Sequence, residues 1–90
     1  MKTRDELLEL LEKKFPDCWF KEGEMFGSGH AGSIWSGEGS TIDDMNLVND
    51  YAQGNKYIMG VHHKMDAFLE KHGWYHELYD SGTVFFYPSM

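Results

Sequence analysis

The middle of this chain has no lysine or arginine. Residues 22–55 carry Glu22, Glu24, Glu38, Asp43, Asp44 and Asp50 without one basic side chain, whereas residues 1–21 balance five acids against five bases. Direct binding to nucleic-acid phosphates, which depends on clustered Lys and Arg, is therefore disfavoured. Cysteine is nearly absent as well. Cys18 has no second cysteine to pair with, which excludes the disulfide framework of small secreted domains. No apolar run approaches the length that crosses a bilayer, and the first residues read as a charged amphipathic helix without the apolar stretch of a leader. The expectation is a cytoplasmic chain with no membrane contact.

Catalytic signatures are missing too. The sequence contains no H-E-x-x-H, no C-x-x-C and no G-x-S-x-G. Cys18 lies between Asp17 and Trp19, with nothing electropositive to lower its pKa, and reads as structural. Gly27-Ser28-Gly29-His30-Ala31-Gly32 spells G-x-G-x-x-G, but the Ser33-Ile34-Trp35 that follows is strand-like where a dinucleotide site needs a helix. It reads as a tightly turned loop. No cofactor is expected.

What the sequence has in quantity is aromatic residues, 16% of a chain of 90 residues. A single domain of this size buries roughly 60–65% of its unfolded surface, and bulky rings fill such a core with few side chains. The pattern predicts an α+β fold: about three helices packed on one face of a small, mainly antiparallel sheet of three to four strands, ending in a C-terminal β-hairpin.

The first helix, about 3–15, opens on the Thr3-x-x-Glu6 capping box, carries Leu7, Leu8, Leu11 and Phe15 on one stripe, and stops at Pro16. A second, about 41–53, is predicted from Ile42, Met45 and Val48, with Ser40 or Thr41 as cap and Asp43 and Asp44 in its first turn. The third, about 57–72, places Ile58, Val61, Met65, Phe68 and Leu69 on one face, with Gly73 as its left-handed cap. Strands are predicted at about 18–26, 33–36, 74–79 and 83–87, the last two joined by Asp80-Ser81-Gly82. The predicted core is Leu7, Leu8, Leu11, Phe20, Ile34, Val48, Ile58, Val61, Met65, Phe68, Leu69, Leu78, Val84 and Phe86.

Three functional readings follow. The favoured one is a small acidic, non-catalytic protein-binding module, an inhibitor or adaptor. It would engage a basic protein partner through the glycine-rich acidic middle, with Trp35, Phe26, Glu24, Glu38, Asp43 and Asp44 at the contact. Aromatic anchors inside a complementary charged surround are how protein interfaces hold. The second is a small metal- or ligand-dependent enzyme. His62 and Asp66 are four apart and would share a solvated helix face, with Glu70 continuing the stripe and His76 near His72. The third is a nucleic-acid charge mimic of the microbial or phage type, in which the acids stand in for phosphates.

Overall fold

The structure is a computed structural model describing residues 2–51 and 54–89. The chain runs α1 (Arg4–Lys14), β1 (Lys21–Glu22), two 3-10 turns (Gly23–Met25 and Ser28–His30) and β2 (Ile34–Gly37). It continues through β3 (Thr41–Ile42), β4 (Met45–Asn46), β5 (Tyr57–Ile58), β6 (Val61–His62) and α2 (His63–Lys71) to β7 (Trp74–Asp80) and β8 (Thr83–Pro88). The α+β class is as predicted, with a four-stranded antiparallel sheet in the order β1-β2-β8-β7. Among the described residues there are two α-helices, where about three were expected.

Helix α1 forms as its capping box dictates. The Thr3 hydroxyl accepts from the Glu6 N–H and the Glu6 carboxylate accepts from the Thr3 N–H, so two end donors are satisfied locally. Leu7 and Leu11 are fully buried, and Phe15 meets Phe68 of α2 edge to face at 5.4 Å. The C-terminal hairpin also forms as expected. Gly73 takes the left-handed conformation (φ 79°) that ends α2 and starts β7. Ile34, Trp74, Val84 and Phe86 point inward from the sheet to meet Leu7, Leu11, Met65 and Leu69 of the helices.

The expected helix at 41–53 is not formed; its last residues, Ala52 and Gln53, lie outside the described residues. Thr41–Ile42 and Met45–Asn46 instead make a hairpin whose two turn residues, Asp43 and Asp44, have φ of 53° and 63°. Positive φ at both turn positions matches the twist of the strands, and Asp tolerates it better than most residues. The acidic pair is therefore a hairpin turn and not a helix first turn. Ser40, expected as a helix cap, is buried and accepts from the Trp19 N–H.

The third predicted helix is shortened at its start. Tyr57–Ile58 and Val61–His62 make another hairpin, turned at Met59 and Gly60 (φ 49° and 85°), and α2 begins only at His63. Ile58 is consequently 41% exposed, whereas Val61 is buried. The two small hairpins are stitched together by the Val48–Val61 bridge, by His62 N–H to the Leu47 carbonyl and by Asn49 N–H to the Gly60 carbonyl. Leu47, Ile42 and Val48 thereby join the core.

The strand expected at 18–26 shrinks to Lys21–Glu22. Its first backbone groups are taken by side chains: the Trp19 N–H donates to Ser40 Oγ, and Ser36 Oγ donates to the Trp19 carbonyl. Such side-chain partners compete with a ladder. Gly23 then opens the first 3-10 turn, so Glu24 and Phe26 lie in turned chain, not strand.

Candidate functional site

In the strands side chains alternate between the two faces, and the register fixes which residues share the outer one. Lys21, Trp35, Phe85 and Glu77 form one cross-strand row, with Tyr75 and Tyr87 paired in the next. Among the described residues no α-helix covers this face. The loop from Gly23 to Gly32 folds back over part of it and sets Phe26 and His30 onto the row.

Phe26 is the centre of the resulting cluster. Its ring lies edge to face with His30 at 5.4 Å, Trp35 at 5.2 Å, Tyr79 at 5.1 Å and Phe85 at 5.1 Å. Offset and perpendicular contacts of this kind suit the ring quadrupoles. Tyr79 follows Tyr75 and Glu77 on the outer face by alternation and meets Phe85 at 5.7 Å, at the point where β7 shifts register between Leu78 and Asp80. Trp19 meets Trp35 perpendicularly at 5.3 Å and anchors its indole N–H on the Glu38 carbonyl. Lys21 Nζ lies over both indoles, at 5.5 Å and 5.3 Å, within cation–π range.

The loop is fastened at both ends. At its base Arg4, from α1, binds the Glu24 carboxylate at 2.5 Å, Glu22 at 3.1 Å and the Ser33 carbonyl at 3.3 Å. The hydrogen bond from Arg4 holds the Glu24 carboxyl down at about 2. Over the sheet, His30 stacks on Phe85 and its Nδ1 lies 3.0 Å from the Tyr87 hydroxyl. Burial, with Glu77 and Tyr75 nearby, raises the Tyr87 phenol above its ordinary value, so it meets His30 as a neutral hydroxyl.

The expected contact residues are split by the fold. Trp35 and Phe26 come together, and Glu38 lies at the edge of their cluster. Glu24 lies at the base of the loop and is paired with Arg4. Asp43 and Asp44 belong to the β3–β4 turn on the helix side, where Asp43 binds Lys64 of α2. The rim of the aromatic face is instead Glu38, Glu77 and Asp80, which have no ion-pair partner among the described residues. Glu77 and Tyr79 were legible as an outward-facing strand set. His30 and Phe85 were not.

The histidines do not assemble as expected. His62 is buried, 1% exposed, and not on a solvated face. It caps α2: its Nδ1 accepts from the Lys64 N–H at 3.1 Å, and its ring stacks on His63. Asp66 turns to His76, with 3.3 Å between Oδ1 and Nδ1, while His76 Nε2 lies 3.0 Å from the Ile58 carbonyl. Among the described residues no group of three or more His, Cys, Asp or Glu could hold a metal ion. Burial pushes the Cys18 thiol up to about 11, which removes its thiolate at neutral pH. No helix among the described residues is long and apolar enough to cross a membrane.

Comparison with protein-family models, with curated proteins and with solved structures gives no match for this chain.

Proposed function

We propose that this chain is a non-catalytic protein-binding module that presents the outer face of its sheet to a basic partner. The observation that carries the reading is a continuous aromatic surface left uncovered by the helices. Tyr79 is 55% exposed, Tyr75 44% and Phe26 38%, and Met25 beside them is 65% exposed. Aromatic residues and Met are the side chains enriched where proteins meet. Two tyrosines and a phenylalanine held rigid by neighbouring rings lose little conformational freedom on contact.

The unpaired Glu38, Glu77 and Asp80 at the rim favour a partner of positive charge. Exposed carboxylates of this kind speed encounter more than they hold the complex, and their effect is screened by salt with a Debye length of about 10 Å at 0.1 M. This moves the proposed contact away from Asp43 and Asp44, while keeping Trp35, Phe26 and Glu38 within it.

The test compares proteins retained from a lysate of the native cells by three immobilised forms, each first shown to be folded by circular dichroism. The wild type and the Asp43→Asn, Asp44→Asn variant are expected to retain the same partner. The Tyr75→Ala, Tyr79→Ala variant is expected to lose it. Retention by the tyrosine variant with loss by the aspartate variant overturns the proposal and returns the contact to the β3–β4 turn.

A further inference from the structure

Strand β7 lies at an edge of the sheet, and half of its backbone polar groups face away from β8. The Ser89 N–H donates to the Gly73 carbonyl. Antiparallel pairs alternate between those that exchange hydrogen bonds and those that do not. Tyr75–Tyr87 and Glu77–Phe85 are then the bonded pairs, and Trp74, His76 and Leu78 turn their N–H and C=O groups outward. Pro88, which has no N–H, stands opposite Trp74, as this alternation allows. Among the described residues nothing bonds the outward groups of Trp74, His76 and Leu78.

Lys2 stands beside the start of this edge, its N–H donating to the His72 carbonyl and its carbonyl accepting from the Trp74 indole. Beyond it the open edge runs about 14 Å to the bulge at Tyr79, from four residues at 3.4 Å each. Beside it lies a mainly apolar pocket of about 430 Å³, lined by Met59, His76, Glu77 and Leu78. Met59, at the tip of the β5–β6 hairpin, is 84% exposed and forms one wall. On the outer side the edge is flanked by Tyr75 and Tyr79. An added strand therefore finds a ladder for its backbone, a pocket for side chains on one face and two rings for those on the other. This is how peptides bind by strand addition.

The charge around the edge selects the occupant. Glu77 lies in the middle of β7, Asp80 at its end and Asp50 beside Gly60 of the β5–β6 turn; none has an ion-pair partner among the described residues. A second copy of this chain would bring another −7 and place the same acids against themselves. We propose that β7 is the docking edge for an extended segment of a partner protein in which apolar residues alternate with Lys or Arg. The proposal rests on the protein-binding reading and assigns the backbone of β7, not the aromatic face alone, as what the partner grips.

The experiment selects binders to the full chain from a library of random linear dodecapeptides. The best peptide is then resynthesised with N-methyl groups on alternate amides, in two sets offset by one residue. Expected are peptides with apolar and basic residues at period two, loss of binding in one N-methyl set and retention in the other. Slowed exchange of the Trp74, His76 and Leu78 amides on binding is also expected, with affinity about tenfold lower in Glu77→Lys. Binding that both N-methyl sets retain, or that leaves those three amides unprotected, overturns the edge proposal. If such a peptide shifts the signals of Phe26 and Trp35, the aromatic face survives as the contact. Selection of no peptide overturns the edge proposal while the lysate comparison still decides the face. Protection of the three amides in the free chain together with a dimer by sedimentation also overturns it, because a second copy then holds the edge.

Discussion

His30 lies flat on Phe85, with ring centroids 3.9 Å apart and planes 3° from parallel. Together with Phe26 and Tyr79 it leaves Phe85 1% exposed, and it fixes the loop that carries Phe26. His30→Ala should cost about 1–2 kcal/mol, the sum of a lost ring contact and newly exposed Phe85 surface. Urea unfolding measures it. An unchanged midpoint would mean that the loop does not depend on the stack, and a blue-shifted Trp emission would argue against an opened Trp35 environment.

Arg4 ties α1 to the base of the same loop, and its effect should be read in acid. The Glu24 carboxyl is held at about 2 in the folded chain against an ordinary 4.5, first of all by its hydrogen bond from Arg4. A depressed carboxyl stabilises the fold above the unfolded value, and that contribution is lost as pH falls from about 4.5 through about 2. Arg4→Gln should return the Glu24 carboxyl to the ordinary range by carbon-detected NMR and flatten the fall in melting temperature over that window. A Glu24 titration that does not move would show that Arg4 is not its partner in solution.

His62 acts in a milder acid window than Glu24. Its Nδ1 accepts from the Lys64 N–H, so the capping ring is neutral, and burial followed by the nearby His63 lowers its pKa below 6.5. Stability from a depressed histidine is complete above the unfolded value and falls as pH drops from about 6.5 towards the folded one. Asn at this position keeps a capping acceptor but does not titrate. Melting temperature should therefore decline less between pH 7 and 5 in His62→Asn than in the wild type. Parallel curves would remove His62 from the acid response.

Met59 has φ of 49° in an exposed turn followed by Gly60. A left-handed conformation costs a residue with an ordinary side chain about 1–2 kcal/mol, and Asn bears it more easily. Met59→Asn creates the Asn-Gly pair that two-residue hairpin turns prefer. It should raise stability by about 0.5–1 kcal/mol in thermal or urea unfolding. A loss would mean that the exposed Met59 side chain contributes more by packing than its turn costs.

The local chemistry was readable where it was local. Thr3 and Glu6 lie within one turn of each other, so their capping box needs no distant partner. The alternation of Trp74, His76 and Leu78 with Tyr75, Glu77 and Tyr79 likewise marks a half-buried strand on its own. The second packed face was signalled more faintly. Val84-Phe85-Phe86-Tyr87 is an unbroken apolar run, which is how a strand covered on both sides reads. Nothing local says that His30, far off in the sequence, supplies the cover.

Residues 41–62 show where sequence pattern stops deciding. Ile42 with Met45 and Ile58 with Val61 are spaced three apart, the spacing of neighbours on a helix face. They are also the cross-strand pairs that flank a two-residue hairpin turn, and the structure pairs them so. One spacing serves both geometries, and the choice rests on what the segment packs against. Here Leu47 and Val48 are needed in the core, and the pairing of residues 47–49 with Gly60–His62 satisfies backbone groups between the two hairpins. The sequence by itself determined α1, the C-terminal hairpin and the acidic, aromatic composition of the middle, because each depends on residues close in the chain. Tertiary structure alone decided that Asp43 and Asp44 form a turn, that His62 is a buried cap and that Phe26, His30 and Trp35 share a face with Phe85 and Tyr79. Those outcomes depend on contacts between residues far apart in the chain, whose burial outweighs the weak local preferences that the sequence displays.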